Sequence, residues 1–260
     1  MTEIGVYTQG KVGSKSLVAT LSKAFSDRHI WDFRRTFDRV ADHLAIRGTR
    51  PRLLSEDVEF TQFVREQPVV DLMLIATVRE PVAIAVSSFF YNFGPRNPDM
   101  DIVSLTDEEI RQRLVAGESF NQPSFHLDWF DIEVRPFLGL DVYEHAPFPR
   151  DTGYAIYAAI LGGRSSRLLV IRLEDLDRVA AQALAEFFGI QIEYESDRQN
   201  VGCAQAYGSR YAAFLASAKL RRSWVEWQLN SKYARFFYSL NERKAAALRW
   251  TGAHDSELVG

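Results

Sequence analysis

Residues 9–17 read "QGKVGSKSL" and follow the apolar run "IGVY" and Thr8. Gly10 and Gly13 allow a backbone to come close to a ligand. Lys11 and Lys15 bring positive charge, and Ser14 and Ser16 bring hydroxyl donors. If a strand leads in and a helix leads out, free N–H groups and the helix dipole meet in this loop and attract an anion. The loop misses the triphosphate-binding pattern GxxxxGK[ST]. With Lys15 and Ser16 on its last two positions, Gln9 and Ser14 fall where glycines belong. The plain alternative is a glycine turn with solvated lysines.

A second constellation is "TVREPVAIAVSSFF", residues 77–90. Arg79 falls at the carboxyl end of the strongest apolar run, the edge where open α/β sheets bind ligands. Ser87 follows eight residues later. Arginine offers a planar, permanently charged fork for a phosphate, and serine adds a hydroxyl donor. The alternative is an Arg79–Glu80 pair with a serine bonded to its own helix. Taken together, the two constellations point to a ligand with two separated anionic groups.

The elements that must position these residues can be read from periodicity. "EIGVYT" reads as a buried strand, and Leu17, Leu21 and Phe25 repeat at helical spacing after the loop. "HIWDF" reads as a second strand, and residues 36–46 look helical, with Phe37, Val40, Ala41 and Leu44 on one side. "VVDLMLIATV" has the continuous apolar character of a parallel strand covered on both faces. Pro81 suits a helix first turn, Thr106 and Glu109 form a capping box, and Gly189 ends the helix that follows "RLLVIRLEDL". Residues 205–250 read as mostly helical. The order predicts an α/β fold: a doubly wound, mainly parallel sheet flanked by helices, a helical C-terminal third, and one domain over residues 1–260.

A net charge of −3 gives no general attraction to nucleic acid or anionic membrane. No apolar run reaches a membrane-spanning length, and the few residues before the loop leave no room for a leader or anchor. A single cysteine, Cys203, fits a reducing compartment, so a cytoplasmic location is expected. One Cys and five scattered His offer no metal-ligand spacing.

"QGKVGSKSL" and "VREPVAIAVSSFF", in this order, resemble the two donor-binding segments of sulfotransferases that use 3′-phosphoadenosine 5′-phosphosulfate (PAPS). "WFDIEVRPFLGLDVYEHAPF", "LLVIRLEDL" and "SKYARFFYSLNERKAAALRW" resemble bacterial sulfotransferase-like capsular polysaccharide synthesis proteins. The resemblance implies a P-loop-like sulfotransferase fold and transfer of a sulfuryl group to a hydroxyl acceptor, a carbohydrate or small metabolite. It implies adenosine 3′,5′-bisphosphate as product and no metal. Lys11 would contact the bridging and sulfuryl oxygens. Gly10, Val12, Gly13, Ser14, Lys15, Ser16 and Leu17 would cradle the 5′-phosphosulfate, largely through backbone N–H groups. Arg79 and Ser87 would hold the 3′-phosphate.

The family often carries histidines on the second strand, one of them the general base. Here that strand reads "HIWDFRR", and Asp32 takes the base position by count from Lys11. A carboxylate serves if burial raises its pKa; the alternative is a salt bridge to Arg34 or Arg35. His126 is the second candidate base, and His29 and Glu56 are weaker ones. Gln205 and Phe236 stand where the family tends to have Lys and His. Two other classes fit less well. A P-loop kinase or NTPase would favour an Asp where Arg79 ends its strand. A non-catalytic nucleotide-binding or scaffold protein would keep the fold without turnover.

Overall fold

The structure is a computed structural model that describes residues 2–34, 36, 51–118, 124–196, 205–217 and 219–252. In chain order the elements begin with β1 (Thr2–Tyr7), α1 (Ser14–Ala24), β2 (Ile30–Phe33), α2 (Pro51–Glu66) and β3 (Asp71–Val78). Next come α3 (Pro81–Arg96) and α4 (Asp107–Val115). Unlabelled helical turns span Phe125–Leu138, with a π-helical turn at Phe130–Val134. β4 (Tyr154–Leu161), β5 (Arg164–Arg172) and α5 (Leu176–Phe188) follow. The chain closes with α6 (Gly208–Ser217), α7 (Arg222–Leu229), α8 (Lys232–Phe237) and α9 (Leu240–Thr251). The helix expected over 36–46 lies outside the described residues, apart from Thr36, as does Cys203.

The chain divides into two compact units. One holds residues 1–78 and 129–197, the other residues 79–128 and 198–260. All five strands belong to the first, in the order β2-β1-β3-β5-β4. β2, β1, β3 and β5 run parallel, and β4 pairs antiparallel with β5. The strand order steps from β1 outward to β2 and then back across β1 to β3. The reversal therefore falls between β1 and β3, the position where open α/β sheets hold ligands beyond their carboxyl ends.

Each sheet face buries apolar side chains. Ile4, Val6, Ile75, Leu169 and Ile171 meet Leu17 and Leu21 of α1 and Val179, Ala183 and Phe187 of α5. On another side Tyr7 stacks on Phe33 and Phe33 on Phe60, with Phe137 and Trp129 edge-on to Tyr7. Such burial and aromatic packing supply most of the folding energy. β4 was not foreseen from the sequence. Leu161 pairs with Arg164 across Gly162 and Gly163, whose φ values are +59° and +82°. Two positive φ values in a two-residue loop suit the right-handed twist of a hairpin.

The second unit is helical. Val82, Val86, Phe89, Phe90 and Phe93 of α3 pack with Phe214, Leu229, Ala247 and Trp250. Pro81 stands in the first turn of α3, the Thr106–Glu109 capping box begins α4, and Gly189 ends α5 with φ +73°. These three punctuation marks fall where the sequence predicts them.

Candidate functional site

Residues 8–13 leave the carboxyl end of β1 at the strand-order reversal. The Thr8 N–H donates to the Phe33 carbonyl at 3.1 Å, which carries the β1–β2 pairing one step into the loop. The chain then turns through Gly10, Lys11 and Gly13, with φ of +87°, +59° and +82°. Lys11 is the one non-glycine among the described residues with positive φ. A side chain there costs about 1–2 kcal/mol, and such strain concentrates at functional sites. The Val12 carbonyl accepts a bond from Thr77 Oγ1 of β3 at 2.6 Å, which ties the turn to the central strand.

Gly13 is the N-cap of α1, in left-handed conformation, and no side chain caps the helix. Its lack of a β-carbon serves packing: a Cβ built there would lie 2.6 Å from Leu173 Cδ1. An eleven-residue helix whose N-cap offers no side-chain acceptor has a positive dipole end suited to an anion. Lys11 is half-buried and Lys15 exposed, Ser14 is buried, and Leu17 sits in the core. Leu17 has only its backbone to offer a ligand.

Asp32 pairs with Val6 in the β1–β2 register, so it stands near the carboxyl end of the strand next to the loop's own. Its backbone N–H donates to Glu56 Oε1 at 2.7 Å, and the Arg34 N–H donates to Asp57 Oδ1 at 2.7 Å. Two carboxylates of α2 thus satisfy N–H groups of β2, an edge strand of the sheet, and of the residue that follows it. Asp32 is half-buried, and its Oδ1 is buried with no hydrogen-bond partner among the described residues. Burial raises its pKa, against the opposing pull of the Arg34 and Lys15 charges. Burial also raises the pKa of Glu56, whose Oε1 lies 3.7 Å from His29 Nε2. Three of the four candidate bases therefore cluster together, and Glu56 is engaged in holding Asp32.

His126 belongs to the second unit. It is fully buried and bonded to Gln228 Oε1 at 2.6 Å. Burial pulls its pKa down to about 4. This is the geometry of a structural hydrogen-bonder.

Arg79 directly follows β3 in the chain and also belongs to the second unit. Tyr233 clamps its backbone: the Arg79 N–H donates to the tyrosine oxygen at 3.0 Å, and the hydroxyl donates to the Arg79 carbonyl at 2.9 Å. Glu80 caps α3 through the Val82 N–H at 2.7 Å and accepts from Arg249 Nη2 and Trp250 Nε1 at 2.6 and 2.8 Å. Ser87 lies within α3 and is 8% exposed. The sequence reading missed Tyr233, Thr77 and the placement of Arg34. The first two act over 154 and 65 residues of separation, beyond any local pattern.

Among the described residues, no group of three or more His, Cys, Asp or Glu is arranged to hold a metal ion. No helix among them is long and apolar enough to cross a membrane.

Residues 118–239 match the model of the NKWYS family, described as putative capsular polysaccharide synthesis protein. The matched segment takes in the π-helical turn, the β4–β5 hairpin and the chain from α5 through α8. It leaves out the loop after β1, Asp32, Arg79 and Ser87. No curated protein and no solved structure matches the chain.

Proposed function

We propose that the chain is a sulfotransferase on a P-loop-like sulfotransferase fold, a single domain over residues 1–260 working in the cytoplasm. In this reading PAPS supplies a sulfuryl group, and adenosine 3′,5′-bisphosphate leaves. The acceptor is a hydroxyl compound, and the match to a polysaccharide-synthesis family favours a carbohydrate over another small metabolite. The observation that carries the reading is the uncapped start of α1, entered through left-handed Lys11 and Gly13, beside a strand that bears a half-buried Asp32.

The roles follow from charge. The N–H groups of residues 13–17, with Gly10 and Val12 shaping the turn, hold the 5′-phosphosulfate at the positive end of the α1 dipole. Lys11 stabilises negative charge that builds on the bridging oxygen as its bond to sulfur breaks. Lys15 adds positive charge at the same helix end, and Ser14 and Ser16 add hydroxyl donors. Asp32 takes the proton of the acceptor hydroxyl as that oxygen bonds to sulfur. Its raised pKa makes it a stronger base than an ordinary aspartate. Arg79 and Ser87 keep the role of 3′-phosphate ligands that the resemblance to sulfotransferases implies. His126 remains the second candidate base, though its burial and its bond to Gln228 favour a structural part.

The test is transfer from radiolabelled PAPS to a panel of hydroxyl acceptors, oligosaccharides included, by the wild type, K11A and R79A. Labelled acceptor is expected with the wild type and not with K11A, and R79A is expected to need more donor. Wild-type turnover in K11A would exclude this mechanism.

A further inference from the structure

Arg34 directly follows β2, and from the sequence it stands out only as a salt-bridge partner for Asp32. The structure gives it a more particular position. Asp57, 4% exposed, fixes its backbone through the 2.7 Å bond to its N–H. Its side chain turns toward the loop after β1. A β-carbon built on Gly10 would lie 3.7 Å from Arg34 Nε and 3.8 Å from its Cδ. The arginine side chain thus lies beside Gly10, at ordinary packing distance from where a β-carbon would stand. Nε is buried and has no hydrogen-bond partner among the described residues. A buried donor with no acceptor is costly, so this one marks a place where an acceptor is due.

We propose that Arg34 is a further donor-binding residue, its guanidinium taking an oxygen of the 5′-phosphosulfate from the β2 side of the loop. The inference rests on the sulfotransferase reading and deepens it. Three observations bear on it: the nearness to Gly10, the vacant Nε donor, and the shared neighbourhood with Lys15 around Asp32. A guanidinium has five donors in a fixed fork, so it can serve an anion while its charge still reaches the carboxylate. An anion held there also offsets the charge that otherwise favours ionised Asp32. Donor binding then makes Asp32 the better proton acceptor, so the base strengthens only once the donor is in place.

The experiment is calorimetric titration of the wild type, R34K and R34Q with adenosine 3′,5′-bisphosphate, with a melting curve for each protein. R34Q is expected to bind about tenfold or more weakly, the size of a lost charge-assisted bond. R34K keeps the charge without the fork and is expected to fall between the other two. A merely structural arginine would lower the melting temperature and leave the affinity of R34K and of folded R34Q at the wild-type value; that result overturns the assignment. Wild-type binding with no change in either variant removes Arg34 alone and leaves the sulfotransferase reading standing. No binding by the wild type removes both.

Discussion

Glu56 Oε1 accepts the Asp32 backbone N–H at 2.7 Å, so Glu56 holds the strand, and the proposed mechanism gives the neighbouring Asp32 a separate task as base. E56Q keeps an acceptor oxygen and is expected to retain turnover within a few-fold. E56A leaves the N–H without its partner and is expected to lose about 1–2 kcal/mol of stability. D32N is expected to lose turnover by about 100-fold or more while binding nucleotide normally. Initial rates and calorimetry on the three variants separate the tasks. Unchanged turnover in D32N would pass the base role to another group.

The same aspartate predicts a pH dependence. Burial raises its folded pKa above the ordinary value of 3.8, so the folded state binds the proton more tightly than the unfolded chain. Its contribution to stability is present below 3.8 and is lost as pH rises through the raised value. D32N is therefore expected to melt above the wild type at neutral pH. Turnover runs the other way: it should rise with pH through the raised value, because the base must be ionised. Melting curves and rate profiles over the acid range check both signs.

Lys11 should trade stability for turnover. With φ at +59° its side chain costs about 1–2 kcal/mol, which glycine would avoid. K11G is expected to be as stable as the wild type or more so, and K11A to gain nothing. Both are expected to lose about 100-fold or more in turnover, as when a transition-state donor is removed. Denaturation midpoints set beside initial rates test this.

Gly13 is constrained twice, by φ and by Leu173. G13A sets a Cβ 2.6 Å from Leu173 Cδ1 in a left-handed backbone. A loss of about 2–4 kcal/mol is expected from strain and overpacking together. L173A in the G13A background should recover the packing part and not the backbone part. A double-mutant cycle by chemical denaturation reads the difference.

His126 makes the fold acid-sensitive. Burial lowers its pKa from 6.5 to about 4, so the unfolded chain takes up a proton that the fold resists. Stability is fully present above 6.5 and falls as pH drops to about 4, by up to roughly 3 kcal/mol. H126Q is expected to flatten this fall and to keep turnover at neutral pH. A steep fall that persists in H126Q would assign it to another group.

The elements around the candidate site were legible where structure is written locally. The loop shows itself by Gly10, Lys11 and Gly13 between an apolar strand and a helical repeat. That Asp32 stands on the strand beside the loop's own could be read from the order of elements, because β1 and β2 are parallel neighbours joined by one helix. Pro81, Thr106 and Gly189 announce helix ends, since caps are local devices. What stayed hidden depends on distant pairing. Arg34 meets Gly10 only after β2 docks beside β1, and Tyr233 meets Arg79 across 154 residues. The Gly162–Gly163 hairpin was legible in principle, because two adjacent glycines between apolar residues mark such a turn. Gly13 was legible as a glycine, but the closeness of Leu173 to it was not.

The central claim is that the loop after β1 serves a nucleotide with two separated phosphates and not a metal triphosphate. The most direct measurement is calorimetric titration of the whole chain with adenosine 3′,5′-bisphosphate and with ATP, each without and with Mg²⁺. The account predicts saturable binding of the bisphosphate without metal and none of comparable strength for ATP. Tight, Mg²⁺-dependent ATP binding with no response to the bisphosphate would contradict it.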